Sequence, residues 1–267
     1  MHPMLNTAVR AARAAGNVML RASSRLDSLN VESKQRNDFV SEVDHQAEAV
    51  ILDILGKAYP QHAFLGEETG RSGNGGSEFQ WIIDPLDGTT NYLHGFPQYA
   101  VSIALEHQGR LEQAVVYDPI KDELFTASRG GGAFLNSRRI RVTGLKGLDG
   151  ALLGTGIPFR DDQPIEPFIA TMRGMLGPIA GIRRAGSAAL DLAYVAAGRL
   201  DGYWEFGLKP WDMAAGLLLV REAGGMITDF AGGGNTMKSG NVIAANPRLL
   251  HGMLTVIQNT TAPEYHR

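Results

Sequence analysis

The sequence predicts a layered α/β fold, and three observations predict it. Apolar residues recur at helical spacing near the N-terminus and again over residues 41–58. Strand-like segments then crowd between residues 79 and 128 with no helix among them, so part of the sheet is expected to be antiparallel. Past about Gly144 helices and strands alternate, the pattern of helices layered on a sheet.

Residues 4–22 place Leu5, Ala8, Ala12, Ala15 and Met19 one above another, which predicts an opening amphipathic helix. A short strand is expected over residues 29–34. The second helix runs from about Ser41 to Ala58, with Val43, Ala47, Val50, Ile54 and Ala58 on one face. The polar, glycine-rich residues 69–77 read as a mobile loop. Residues 79–84, 99–106, 111–117 and 122–128 read as strands, punctuated by turns such as Asp118-Pro119. Beyond them, strands are expected over residues 151–155, 182–184, 200–206, 226–229 and 241–244. Helices are expected near residues 166–176, 187–197, 210–223 and 247–257. A soft boundary falls near residues 143–149, dividing the chain into 1–145 and 146–267. No internal repeat is evident.

Composition narrows the function. At 267 residues the chain can bury a sizeable core. A net charge of −3 argues against a surface that coats nucleic acid, and no direct nucleic-acid binding is expected. The absence of cysteine removes disulfides, thiolate zinc sites and a cysteine nucleophile, and fits a reducing compartment. Arg10 and Arg13 interrupt the apolar positions a signal peptide needs, and no apolar run approaches the ~20 residues of a membrane span. The protein is expected to be soluble, cytoplasmic and without a membrane partner.

The segment Asp84-Pro85-Leu86-Asp87-Gly88-Thr89-Thr90-Asn91 follows the apolar run Trp81-Ile82-Ile83. Hard oxygen ligands on a rigid turn suit Mg²⁺, whose sites mostly serve phosphate chemistry. The same residues also make a plain β-turn, since Asp, Pro and Gly all favour turns. The three-residue spacing of Asp84 and Asp87 excludes the aspartyl-phosphate phosphatases, which need the two acids one residue closer.

Further acids could converge there. Glu67 and Glu68 end the apolar stretch Ala63-Phe64-Leu65 and are either a solvated acidic loop or inward-turned metal ligands. Asp212 follows Pro210 in a first helical turn, where an acid complements the helix dipole in any case. Asp44 completes a Ser-x-x-acid pattern with Ser41, which marks a helix start. Gly186-Ser187-Ala188 opens a helix after the basic pair Arg183-Arg184, an arrangement that offers backbone N–H groups to an anion or a serine cap to the helix. No Walker A sequence is present, Gly154-Thr155-Gly156 lacks the third glycine of a dinucleotide fingerprint, and the histidines show no zinc spacing.

The stretch Trp81-Ile82-Ile83-Asp84-Pro85-Leu86-Asp87-Gly88-Thr89-Thr90-Asn91-Tyr92 resembles the first signature of the inositol monophosphatase family. Trp211-Asp212-Met213-Ala214-Ala215-Gly216, followed by Glu222-Ala223-Gly224-Gly225, resembles the second, and Gly66-Glu67-Glu68 lies at the expected distance upstream. The resemblance spans nearly the whole chain. Thr69, Tyr92 and Ile157 depart from the usual residues, but none is a proposed ligand.

The resemblance implies a five-layer α-β-α-β-α sandwich of the sugar and inositol phosphatase type that hydrolyses a phosphate monoester, myo-inositol 1-phosphate foremost, with Mg²⁺. Glu67, Asp84 and the carbonyl of Leu86 would hold one ion and Asp84, Asp87 and Asp212 a second, with a third, weaker one at Glu67. Thr89 paired with Asp44 would orient the attacking water. Gly88 and Thr89 would hold phosphate oxygens. Glu205, Gly186, Ser187 and Ala188 would face the substrate hydroxyls, with Asp212 beside them and Arg183 at the rim. It further implies a homodimer and, as an alternative or additional role, a transcription-machinery partner in antitermination and ribosomal RNA maturation. Sister phosphatases for fructose bisphosphate or a nucleotide 3′-phosphate are the enzymatic alternative.

Overall fold

The structure, a computed structural model, describes residues 2–28, 31–35, 38–158 and 164–266. Helix α1 (Pro3–Ala22) opens on Pro3 in its first turn, with the His2 side chain accepting from the Met4 N–H. All of Leu5, Ala8, Ala12, Ala15 and Met19 are buried, as their spacing predicts. Strands β1 (Val31–Gln35) and β2 (Asp38–Ser41) form an antiparallel ribbon; residues 29 and 30 of the strand expected there lie outside the described residues.

Helix α2 (Glu42–Ala58) corrects the expected face. Its buried stripe runs through Val43, Asp44, Ala47, Glu48, Ile51 and Leu55, while Val50 and Ile54 are half-buried and Ala58 is exposed. Apolar spacing alone, with Asp44 and Glu48 left out of the stripe, turned it the wrong way. Asp44 and Glu48 are inside because both carboxylates find hydrogen-bond donors there, the condition on which buried acids are tolerated.

The first sheet has eight strands. They are β3 (Ala63–Gly66), β4 (Gly70–Gly73), β5 (Phe79–Asp87), β6 (Ala100–His107), β7 (Arg110–Asp118), β8 (Glu123–Ser128), β9 (Gly132–Leu135) and β10 (Arg138–Arg139), with the short helix α3 (Thr89–Leu93) after β5. The order is β10-β9-β8-β7-β6-β5-β3-β4, antiparallel except between β3 and β5. The loop expected over residues 69–77 is partly strand. Gly70–Gly73 pairs with Ala63–Gly66 through main-chain groups, which a side-chain pattern does not reveal.

The second half supplies β11 (Leu152–Thr155), α4 (Ile165–Met175), β12 (Gly181–Arg183), α5 (Ala188–Ala196), β13 (Gly202–Glu205), α6 (Pro210–Glu222), β14 (Met226–Thr228), α7 (Thr236–Ser239), β15 (Val242–Ala245) and α8 (Pro247–Thr260). Its strands form a second sheet in the order β12-β11-β13-β15-β14.

Alternating side chains sort these elements into five layers. On β5, Trp81 and Ile83 join the cluster under α1 and α2, while Ile82 points to the opposite cluster with Leu190 and Leu219 of α5 and α6. On β13, Tyr203 faces α5 and α6, whereas Trp204 joins the cluster under α4 and α8. The layers are therefore α1/α2, first sheet, α5/α6, second sheet and α4/α8, the α-β-α-β-α sandwich expected. The middle pair α5/α6 brings residues from both halves to one cleft.

Candidate active site

Strand β5 continues past Asp84, where a break was expected, to Asp87. Its pairing with β6 shifts between these two residues, so Pro85 and Leu86 bulge out of the ladder. Asp84 Oδ1 accepts the Leu86 N–H at 3.0 Å, which fixes the turn and the carboxylate together. Gly88 then adopts φ +101°, and a Cβ there would lie 2.9 Å from the Gln98 carbonyl. The turn and the acid cluster are one object.

Glu67 follows β3, beside the end of β5, and its N–H donates to the Ile83 carbonyl at 3.1 Å. The next two N–H groups, of Glu68 and Thr69, donate to Glu48 at 3.0 and 2.8 Å. The fully buried carboxylate of Glu48 thus clamps the turn that carries Glu67. Thr89 Oγ1 donates within reach of Asp44 Oδ1 at 2.9 Å and of the Leu86 carbonyl at 3.2 Å. The second Asp44 oxygen accepts from the Ser41 N–H and hydroxyl at 2.8 and 2.6 Å. The helix-start pattern at Ser41 is real, and it also orients Asp44 toward Thr89.

The second half is tied to this turn. Ser187 Oγ and the Ala189 N–H donate to Asp87 Oδ2 at 2.6 and 2.7 Å. The Asn91 amide donates to the Gln98 and Ala185 carbonyls at 2.7 and 2.9 Å. Ser102, opposite Asp84 on β6, donates to the Trp211 carbonyl at 3.1 Å and so anchors the start of α6. There Asp212 accepts the Lys209 N–H at 2.7 Å.

These elements enclose a cleft of about 570 Å³. Glu67, Asp84, Leu86, Asp87, Gly88 and Thr89 line its first-sheet side, joined by Asp212 and by Gly186, Ser187 and Ala188, with Glu205 of β13 on the second-sheet side. Asp44 lies behind Thr89, off the lining. Arg183 is a correction: it points away at the end of β12, its guanidinium bonded to the Ile182 carbonyl, and Arg184 lines the cleft in its place. Arg183 is the last paired residue of β12, whereas Arg184 lies past the strand on the segment that leads to Gly186.

Over residues 1–261 the chain matches the inositol monophosphatase family. It belongs to that family. It is 55% identical over 271 residues to the Nus factor SuhB of Pseudomonas aeruginosa, with 100% of both chains covered. The solved extragenic suppressor protein suhB of Bartonella henselae superposes with a TM-score of 0.94 at 45% identity, covering 97% of this chain and 100% of that one. The inositol monophosphatase of Anabaena superposes at 0.84 with 38% identity, covering 97% of each chain.

Within this member of the family the cleft is electrostatically costly. Burial, and then the charges of Glu67, Asp87 and Asp212, hold the Asp84 carboxyl well above its ordinary range. Desolvation pushes Asp87 up to about 7 against the pull of Ser187 and Ala189, with Glu205 and Glu67 adding repulsion. Asp44 is raised by burial, opposed by its bonds from Ser41 and Thr89. The carboxylates line the cleft without closing into a cage: among the described residues no three His, Asp or Glu side chains meet as a metal-holding cluster. The donor set still fits Mg²⁺, because it is all hard oxygen and its mutual repulsion is what a divalent cation relieves.

The opposite wall holds residues that sequence reasoning missed. Asp191, 2% exposed, lines the cleft from α5, and its Oδ1 has no hydrogen-bond partner. Burial and the charges of Glu205 and Asp87 raise its carboxyl well above the ordinary range, opposed by Arg184. Tyr203 donates its hydroxyl to Glu205. A Cβ on Gly156 would overlap the Glu205 carboxylate, so the bare backbone makes room for it. Asp44-to-Glu48 spacing along α2 was a readable signal for Glu48. Asp191 had none.

Proposed function

We propose that this protein hydrolyses a phosphate monoester with Mg²⁺, and that myo-inositol 1-phosphate is the substrate. The observation that carries this reading is the gathering of Glu67, Asp84, Asp87 and Asp212 beside the Asp44–Thr89 hydrogen bond. Glu67, Asp84 and the Leu86 carbonyl would hold one ion; Asp84, Asp87 and Asp212 a second; a third, weaker one would share Glu67. When bound, Mg²⁺ neutralises the phosphate dianion and lowers the pKa of an attacking water.

The rest belongs to the chain. Thr89 Oγ1 would accept a proton from the attacking water through a lone pair as it passes its own proton to Asp44. Ser41 holds the far oxygen of Asp44, so the acceptor geometry survives that transfer. The Gly88 and Thr89 N–H groups would bind phosphate oxygens. Glu205 and Gly186, Ser187 and Ala188 would accept and donate hydrogen bonds to the polyol, with Arg184 at the rim. Residues 1–145 would thus supply most ion ligands, and 146–267 Asp212 and the substrate contacts.

The test is a comparison of kcat/KM with Mg²⁺ across inositol 1-phosphate, fructose bisphosphate and a nucleotide 3′-phosphate. Inositol 1-phosphate is expected to rank first. Hydrolysis that is absent with Mg²⁺ would reject the enzyme reading, and another substrate ranking first would reject the substrate.

A second role is favoured by one finding, the Nus factor name of a relative 55% identical over its full length. We propose that the protein also engages a transcription-machinery partner in the cytoplasm, as a homodimer. Pull-down with Asp87→Asn separates the two roles, since unaltered recovery is expected if binding does not use the reaction. Sedimentation as a monomer would remove the dimer.

A further inference from the structure

A second cleft, of about 390 Å³, lies at the other end of α6. It is bounded by the β6–β7 turn, the start of β9's preceding loop and α7. Asp212 and Arg221 are nine residues apart on α6, roughly 14 Å along its axis, so this cleft is separate from the carboxylate-lined one. Its lining has the opposite sign. Arg110, Arg129 and Arg221 converge on it, and Glu106 is its one acid among the described residues.

The charges are unevenly compensated. Arg129 Nε holds Glu112 at 2.9 Å. Among the described residues no carboxylate pairs with Arg110 or Arg221, while Glu222, next along α6, is committed to the Gly130 and Gly132 N–H groups at 2.8 Å each. Burial and the nearby charge of Arg129 both disfavour the Arg221 cation. Guanidinium groups gathered without matching acids are relieved by an anion, and their planar forks match phosphate oxygens in pairs. Of the apolar residues around the cleft only Met237 is partly exposed, while Leu111 and Leu217 lie buried beneath it.

We propose that this cleft is a second ligand site, which binds a small organic phosphate by seating its phosphate on Arg110, Arg129 and Arg221, with the partly exposed Met237 beside its organic body. The arginines converge on one concavity instead of forming a stripe, and the chain carries net charge −3, which disfavours a nucleic-acid backbone as occupant. The volume lies within the range of small-molecule sites.

The probe is phenylphosphonate, whose C–P bond a phosphatase does not hydrolyse, titrated calorimetrically into the full chain carrying Asp212→Asn. One saturable site is expected. Adding Arg110→Ala or Arg221→Ala should weaken it about ten-fold or more, as loss of a charged hydrogen-bonding group implies. Arg221→Lys should weaken it too, because an ammonium lacks the paired donors. In the otherwise native chain these arginine variants should leave both the melting temperature and phosphate-monoester hydrolysis unchanged.

Affinity unaltered by both alanine variants would overturn the site. Inorganic phosphate binding as tightly as phenylphosphonate would overturn the contact between Met237 and the organic body. A single-stranded oligonucleotide that binds more tightly, and is lost in Arg221→Ala, would make the cleft a nucleic-acid surface instead.

Discussion

On the first-sheet wall of the active cleft, Asp84 and Asp87 share one bulged strand, and Glu67 follows the end of the strand beside it. On the opposite wall, Thr155, Asp191 and Glu205 come from β11, α5 and β13, and adjacent glycines make the room. The first wall takes its shape from a bulge and turn within a few residues, and longer ties from Glu48 and Ser187 fix its carboxylates. The second is held by packing between layers. Under the proposed function the first wall, with Asp212 of α6, would carry the ion ligands, and Glu205 on the second wall would meet the polyol.

The largest test of this contrast is Asp84→Asn. It should keep the fold, lower kcat/KM by about 10³-fold or more, and abolish the rise in melting temperature with Mg²⁺. A variant with near-normal turnover would remove Asp84 from the ligand set. Asp44→Asn comes next, with kcat reduced about 10²-fold and KM little changed, because the amide accepts the Thr89 proton poorly. Glu48→Gln touches neither substrate nor ion, yet should weaken Mg²⁺ affinity about 10-fold by loosening the Glu67 turn. Unchanged affinity in a Mg²⁺ titration would show that the turn holds itself.

Asp191→Asn should be the mildest on the inositol reaction and the most informative about the second wall. It is expected to alter the ranking of substrates by kcat/KM more than the top rate, and to raise the melting temperature without Mg²⁺ by removing a buried, repelled charge. An unaltered ranking would leave Asp191 a purely structural residue.

The same cluster sets the response to pH. Asp87 is pushed up to about 7, and Asp84 and Asp191 are displaced in the same direction. The folded chain therefore keeps protons that the unfolded chain, titrating near about 3.9, has released. Without Mg²⁺ stability should fall as pH rises through this window, reaching the full loss from Asp87 above about 7. Below the unfolded value both states hold the proton and the penalty disappears. Melting curves from pH 5 to 8 should show that fall in EDTA and a flatter profile with Mg²⁺; equal slopes would mean the ion does not relieve the cluster.

Legibility followed the same division. Asp84, Asp87 and Thr89 were readable because a proline, a glycine and two acids within a few residues constrain one another through the backbone. Asp212 was readable from Pro210 at a helix start. The buried side of α2 was misread, since whether an acid faces in depends on donors that arrive from the turn after β3 and from the start of α3, distant in sequence. Arg183 and Arg184 could not be told apart until the end of β12 was known. The hairpin partner Gly70–Gly73 escaped because its pairing uses only main-chain groups.

By itself the sequence determined the layered α/β class, most of the helices and strands, and the acids that meet at the cleft, because those features rest on periodicity and on short-range backbone chemistry. Only the tertiary structure decided that Glu48 clamps Glu67, that Asp191 is shut into the opposite wall with an unpartnered oxygen, and that three arginines converge at the far end of α6. Each of these depends on which elements pack together across layers, where burial and a neighbour's charge decide what a side chain can do.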